Sequence, residues 1–183
     1  TTGTLGAATQ TTAYAYGDSN WKDKVTAIGG KAITYDAIGN PLTYDGWTFT
    51  WKAGRMLASM VKTGTNAQFT YDHNGLRIKK VVNGVTTDYT LNGKNVVHMT
   101  QGSHDLHFFY DAQGKPGMVT YNDVDYFYVY NLQGDVVALI DADGTQVVEY
   151  VYDAWGNPIS KTGSLAATIG TLNPFRYRGY VFD

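Results

Sequence analysis

The sequence predicts an all-β fold, an antiparallel meander of β-hairpins. Turn dipeptides recur about every ten residues, at Asp45-Gly46, Ala53-Gly54, Thr63-Gly64, Asn74-Gly75, Asn83-Gly84, Asn92-Gly93, Gln101-Gly102, Gln113-Gly114, Asn122-Asp123, Gln133-Gly134, Asp143-Gly144 and Trp155-Gly156. Asn-Gly and Asp-Gly take the positive φ values that tight reversals need, so each pair marks a place where the chain turns back. The intervals alternate as strands do: Thr48-Phe49-Thr50-Trp51, Gln68-Phe69-Thr70-Tyr71 and the run from Asp125 to Tyr130 set aromatic residues two apart, on one face. Composition agrees, because 15 Tyr and 23 Thr suit pleated strands. Fifteen Asp against the single Glu149 favour turns over helix interiors.

Several function classes fall away. With 14 Lys plus Arg against 16 acidic residues, and only Lys79-Lys80 adjacent, there is no basic stripe for a phosphate backbone. The chain has no Cys, which removes disulfides, thiolate metal sites and cysteine nucleophiles. No run approaches the ~20 apolar residues of a membrane helix, and residues 1–10 lack the charged and apolar regions of a signal peptide. The chain opens at Thr1 without an initiator methionine, as a piece of a longer protein would. A chain of 183 residues buries roughly 70% of its unfolded surface, enough for a core without staples.

A longer repeat lies over the ten-residue one. Clear copies run from Tyr35-Asp36 through Gly39, Tyr71-Asp72 through Gly75, Tyr110-Asp111 through Gly114, and Tyr152-Asp153 through Gly156. Degenerate copies start at Trp51, Leu91 and Tyr130, the last reaching Gly134, and the steps between the seven starts are 16, 20, 20, 19, 20 and 22 residues. One unit is therefore two strands and two turns. Tyr ends a strand with its ring on the packed face, Asp begins the turn by accepting backbone N–H groups, and Gly supplies positive φ. The apolar residue that follows (Leu42, Leu57, Leu76, Val136) re-enters the core. Such a unit buries its aromatic face only by stacking with neighbours.

Candidate chemistry is sparse. Asp36, Asp72, Asp111 and Asp153 share one repeat position and read as turn formers rather than acid–base pairs. The stretches Asp123-Val124-Asp125 and Asp141-Ala142-Asp143-Gly144 resemble fragments of calcium loops, but the second has Gly at its fourth position and reads as a hairpin turn. His98, His104 and His107 are close in sequence. The Gln101-Gly102 turn separates His98 from the others, and His104 and His107 have opposite parity, so no metal site is expected. No nucleophile elbow, phosphate loop or zincin helix occurs, and neither an enzyme nor a cofactor is expected. Tyr126, Tyr128 and Tyr130, or Trp47, Trp51 and Trp155, would suit glycan stacking if exposed and core packing if buried. Arg176 and Arg178 flank Tyr177 with the same parity, so both are expected to point one way.

The Tyr-Asp-x-x-Gly units resemble the YD repeats of the rearrangement-hotspot (Rhs) family, of insecticidal toxin-complex shells, of wall-associated polymorphic toxins and of teneurins. Asn173-Pro174-Phe175-Arg176-Tyr177-Arg178-Gly179-Tyr180 resembles the start of the Rhs-associated core, and Tyr14 to Asp23 with Tyr35 to Tyr44 is similar to repeat proteins of Gram-positive bacteria. The resemblance implies a ribbon of hairpins wound into a spiral β-shell, of which this chain is a strip, or a stacked repeat sheet. It implies a C-terminal toxin as cargo, and, for self-cleaving members, an Arg and two Asp beyond the repeats. Arg176 falls at the Arg position and Asp183 at an acidic one, while the downstream Asp-Pro-x-Gly-Leu motif is absent from this chain. The expected organisation is an extension or earlier repeat at 1–13, repeats at 14–160, a linker with at most one or two helical turns at 161–172, and the core motif at 173–183. The expected role is structural: a shell segment that encloses or presents a C-terminal effector, secreted or on the bacterial surface. Its expected partners are other YD repeats and that cargo, with neither nucleic acid nor membrane. An adhesive glycan-binding module and a fibrous assembly through strand pairing stand as alternatives.

Overall fold

The computed structural model describes residues 11–182. Most of the expected extension at 1–13, and Asp183, lie outside the described residues. The fold is all-β, with antiparallel strands in chain order, and it divides into two compact units, Thr1–Gly84 and Val85–Asp183. The first holds β1 (Tyr14–Ala15), β2 (Ala27–Ile28), β3 (Lys31–Tyr35), β4 (Pro41–Tyr44), β5 (Trp47–Lys52), β6 (Met56–Lys62), β7 (Thr65–Tyr71) and β8 (Arg77–Val82). The second holds β9 (Val85–Asn92), β10 (Asn95–Gln101), β11 (His104–Tyr110), β12 (Pro116–Tyr121), β13 (Val124–Tyr130), β14 (Val136–Ile140), β15 (Gln146–Tyr152), β16 (Pro158–Thr162) and one helical turn, α1 (Ile169–Leu172).

Two kinds of turn join the strands. Asp45-Gly46 is a two-residue reversal with φ of 49° and 79°, the geometry that follows strand twist. The Tyr-Asp units form five-residue loops at 36–40, 72–76, 111–115 and 153–157. In each, the first side-chain oxygen accepts the N–H groups two and four residues on. The backbone N–H of the same Asp donates to the carbonyl four residues on, and the Gly N–H donates back to the Asp carbonyl. Asn131 fills the Asp role in loop 131–135. Asp141 does so in loop 141–145, so the stretch resembling a calcium fragment is another loop of this kind. The copies at Trp51 and Leu91 close differently, with short turns at Ala53-Gly54 and Gly93-Lys94.

Each Tyr-Asp hairpin skips a residue in its ladder just ahead of the repeat aromatic, between Thr34 and Tyr35, Thr50 and Trp51, Thr70 and Tyr71, Phe109 and Tyr110, Val129 and Tyr130, and Val151 and Tyr152. Such a bulge bends the strand and re-aims its side chain. The ladders between successive hairpins stop short of this edge: β6 and β7 pair only from Lys62–Thr65 to Ser59–Gln68, and β10 and β11 from Gln101–His104 to His98–His107. Beyond the last rung, the repeat tyrosine reaches back to a carbonyl of the preceding hairpin. Tyr71 donates to Leu57 at 2.9 Å, Tyr110 to Val96 at 2.6 Å, Tyr130 to Pro116 at 2.5 Å and Tyr152 to Val136 at 2.9 Å. Tyr35 donates likewise to Val25, and the Trp51 indole N–H replaces the hydroxyl by donating to Pro41. The contact supplies a donor where the strand ladder has ended.

The hydrophobic core lies in the second unit. Met99, Leu106, Phe108, Val119, Tyr126, Tyr128, Leu139, Val148 and Tyr150 line one sheet face and meet Ile169 and Phe175 from the segment after the repeats. Among the described residues of the first unit only Asn40 and Ala67 are buried, and its aromatic face, with Trp47, Phe49, Trp51 and Phe69, stays half-exposed.

Two predictions test this architecture. Tyr110→Phe keeps the ring and removes the donor, which costs about 1 kcal/mol and lowers the melting temperature by about 2–4 °C in a chain of this size. Tyr180→Phe, whose ring is exposed, leaves it unchanged. Burial pushes the Tyr110 hydroxyl up to about 12, so its contribution persists below about pH 10 and is lost as pH rises through the folded value. The second concerns acid. The Leu76 N–H, with help from Asn74, holds the Asp72 carboxyl below the usual carboxylate range against the opposing effect of burial. A folded value below the unfolded one gives stability above about pH 4 that drains away as pH falls through the folded value. Asp72→Asn, which keeps the acceptor as Asn131 does, should flatten this acid dependence in thermal melts, whereas Asp72→Ala should lower stability at neutral pH as well.

Candidate functional site

The segment after the repeats is built into the sheet. Strand β16 is exposed at every position, and at its end Gly163 turns the chain back with φ of +113°. A Cβ there would stand 2.3 Å from the Val147 carbonyl oxygen, so the close approach excludes any side chain. That oxygen accepts the Leu165 N–H at 3.0 Å. Residues 163–176 then run over the aromatic face. Ile169 is fully buried, and Asn173, Pro174, Phe175 and Arg176 are all buried. The Phe175 ring meets Phe108, Tyr110 and Tyr128 edge-on, with centroids 5.2, 6.1 and 6.0 Å away. Three edge-to-face contacts of this kind fix one ring orientation.

A fully bonded polar cluster sits beside Phe175. Tyr128 donates to Asn173 Oδ1 at 2.7 Å, which also accepts the Phe175 N–H. Asn173 Nδ2 donates to the Phe175 carbonyl, and the Tyr150 hydroxyl donates to the Gly170 carbonyl at 3.0 Å. Arg176 completes the cluster. Its guanidinium donates to the carbonyls of Gly170 at 2.7 Å and Phe175 at 3.1 Å and lies 4.2 Å from the Tyr150 ring centroid. Burial lowers its pKa, opposed by the nearby Tyr150, Tyr152 and Tyr128, and among the described residues no carboxylate pairs with it. Carbonyl dipoles and an aromatic face therefore carry this buried charge. The arrangement ties α1, residues 173–176 and the sheet together. The Asp183 position falls outside the described residues.

The expectation that Arg176 and Arg178 point one way is corrected. Tyr177–Gly179 is a 3-10 turn in which Arg178 takes φ of 54°, so parity is lost: Arg176 is buried and Arg178 exposed. The turn docks on the start of β14. The Arg178 N–H donates to the buried Asp135 carboxylate at 2.9 Å, and the Val136 N–H donates to the Arg176 carbonyl at 3.1 Å. Sequence reasoning missed Asp135, the last residue of loop 131–135, whose second role comes from the distant 3-10 turn. It also missed the bonding of Asn173 with Tyr128 and Tyr150, although Asn173 opens the terminal motif.

The other singled-out residues fall as follows. Tyr126 and Tyr128 are buried in the core. Trp47 is half-buried and stacked with Phe49, Trp51 is half-buried with its N–H engaged, and Trp155 is 86% exposed at a loop tip of the other unit. Neither unit gathers the three tryptophans into one surface. The Gln101-Gly102 turn, expected to hold His98 apart, instead folds β10 onto β11 so that His98 and His107 are direct cross-strand partners. His104 stands apart against Tyr121, whose hydroxyl shares a hydrogen bond with its Nδ1 at 2.7 Å.

Residues 3–177 match the Teneurin YD-shell family. The chain is 36% identical over 171 residues to the tRNA nuclease WapA of Bacillus subtilis and, to the same extent, to the tRNA3(Ser)-specific nuclease WapA of Bacillus spizizenii. Each match takes in 90% of this chain and 7% of the relative, so the chain spans a small part of those proteins. Among solved structures, the Photorhabdus luminescens Tc holotoxin pore matches with a TM-score of 0.58 at 15% identity, over 94% of this chain and 11% of that one. The TcdB2-TccC3 structure matches with a TM-score of 0.58 at 15% identity, over 81% of this chain and 8% of that one. At such identity the structures speak for the fold alone. With the matched repeats, the phased loops and the shared meander, the chain belongs to the teneurin YD-shell family of YD-repeat (Rhs) proteins.

Proposed function

We propose that this chain is a structural strip of a larger β-shell that encloses a C-terminal effector by steric means, and that residues 163–182 form the strap that closes the sheet face at the end of the repeats. The observation that carries this reading is the coverage of the aromatic face: it is sealed where Ile169, Phe175 and Arg176 lie on it, and half-exposed in the first unit. A second unit whose aromatic face is covered by its own chain, and a first unit whose aromatic face is half-exposed, suit a chain that packs against further repeats or cargo. The WapA relatives carry the name of tRNA nucleases and are far longer than this chain, which supports placing nuclease chemistry in sequence outside the matched stretch. No helix among the described residues is long and apolar enough to cross a membrane, and the reading places the protein outside the cell or on the surface of a Gram-positive-like bacterium. Arg176 serves here as a buried tie rather than as a catalytic group.

The test uses the full-length protein that carries this strip. Limited proteolysis should leave the downstream effector intact in the parent. Phe175→Ala, which removes about 3–5 kcal/mol of core packing, should expose the effector to cleavage at the rate of the isolated domain. Equal, rapid cleavage of the effector in both proteins would contradict enclosure.

A further inference from the structure

We propose that His98, Asp105 and His107 form a site for a divalent transition-metal ion of the zinc, copper or nickel class, on the sheet face opposite the aromatic core. His98 Nε2 lies 2.9 Å from Asp105 Oδ2, and His107 Nε2 lies 2.9 Å from Asp105 Oδ1. The two imidazoles stack with centroids 4.2 Å apart and planes 13° from parallel. One ligand atom from each of the three residues lies within 4.8 Å of the others. Donors bound to one ion at about 2.0–2.2 Å stand roughly 3–3.5 Å apart, so small side-chain rotations bring the set onto a single centre.

The backbone preforms this arrangement. His98 and His107 are the last rung of the β10–β11 ladder, and Asp105 sits two residues before His107 on the same face. The ligands thus come from paired strands rather than from a loop. Their cross-strand neighbours in the same row are the small residues Thr90 and Thr120. Two imidazole nitrogens and one carboxylate oxygen favour borderline transition metals over calcium or magnesium, which prefer oxygen ligands. The neutral imidazole is the metal-binding form. Binding moves each ring proton from Nε2 to Nδ1 and leaves the carboxylate free to ligate. Three protein ligands leave at least one position for water or a donor from another molecule. Because β10 and β11 belong to successive hairpins, the ion would tie them on the outer face where Tyr110 and Val96 tie them on the inner one.

The test is a titration of the tag-free chain with zinc chloride by calorimetry, and with cobalt(II) by visible absorption. One saturable ion per chain and a rise in melting temperature are expected. Removing an outer-shell partner of a metal lowers affinity about 10–100-fold, so losing a direct ligand in His98→Asn or His107→Asn should lower it by about 100-fold or more. His107 is exposed, and circular dichroism should find its variant folded. His104→Gln and His73→Gln, at the two histidines that are not ligands in this proposal, should bind as the parent does. Absence of saturable binding, or loss of binding in His104→Gln or His73→Gln with retention in His98→Asn and His107→Asn, would overturn the proposal.

Discussion

A single antiparallel sheet with an aromatic face cannot stand alone in water, and the need to cover that face governs this molecule. Tyrosine every twenty or so residues places a large ring on one side of each hairpin, and each ring of this size buries about 150–250 Å² when covered. In the second unit the cover is the chain itself: residues 163–176 lie on the face and carry Ile169 and Phe175 into it. The covering segment must bring its polar backbone with it, and the Asn173–Tyr128–Tyr150–Arg176 cluster accommodates that backbone. The Tyr150 hydroxyl and the Arg176 guanidinium both donate to the Gly170 carbonyl of α1, which would otherwise be buried without a partner.

The same tyrosines also bind hairpin to hairpin. Strand ladders between successive hairpins end early, and a hydroxyl-to-carbonyl contact takes over at the edge where the five-residue loops lie. This joins two functions in one residue type, ring for the core and hydroxyl for the neighbour. It explains why the repeat is Tyr rather than Phe, and why Trp51, with its own N–H, stands in the same position. A ribbon assembled this way adds length without changing its local contacts, which suits the proposed role of an enclosing wall.

Much of this was legible in the sequence because turn chemistry and period are local. The Asp–Gly spacing of loops 36–40, 72–76, 111–115 and 153–157 announces both the reversal and the N–H acceptor. Asn131 and Asp141 show that the loop tolerates an amide and does not need the Tyr. The bulges were not legible. They depend on two strands meeting, and by inserting one residue they bury both Val147 and Val148, which strict alternation forbids. The terminal site was readable only as a motif. Nothing local in Arg176-Tyr177-Arg178 reveals that a 3-10 turn sends the two arginines to different environments, and Asp135 acquires its role from a segment some forty residues away. For the same reason His98 and His107 read as separated until hairpin register placed them face to face.

The most direct test of the claim that residues 163–176 are part of the sheet core is amide hydrogen exchange on this chain, followed peptide by peptide by mass spectrometry. The Leu165, Gly170 and Asn173 N–H groups are hydrogen-bonded, and residues 169–176 are largely buried. Peptides spanning 165–176 should therefore exchange as slowly as those from β13 to β15, through the same cooperative opening. Exchange of 165–176 within seconds while β13 to β15 stay protected would show a segment that merely rests on the sheet, and would contradict the account.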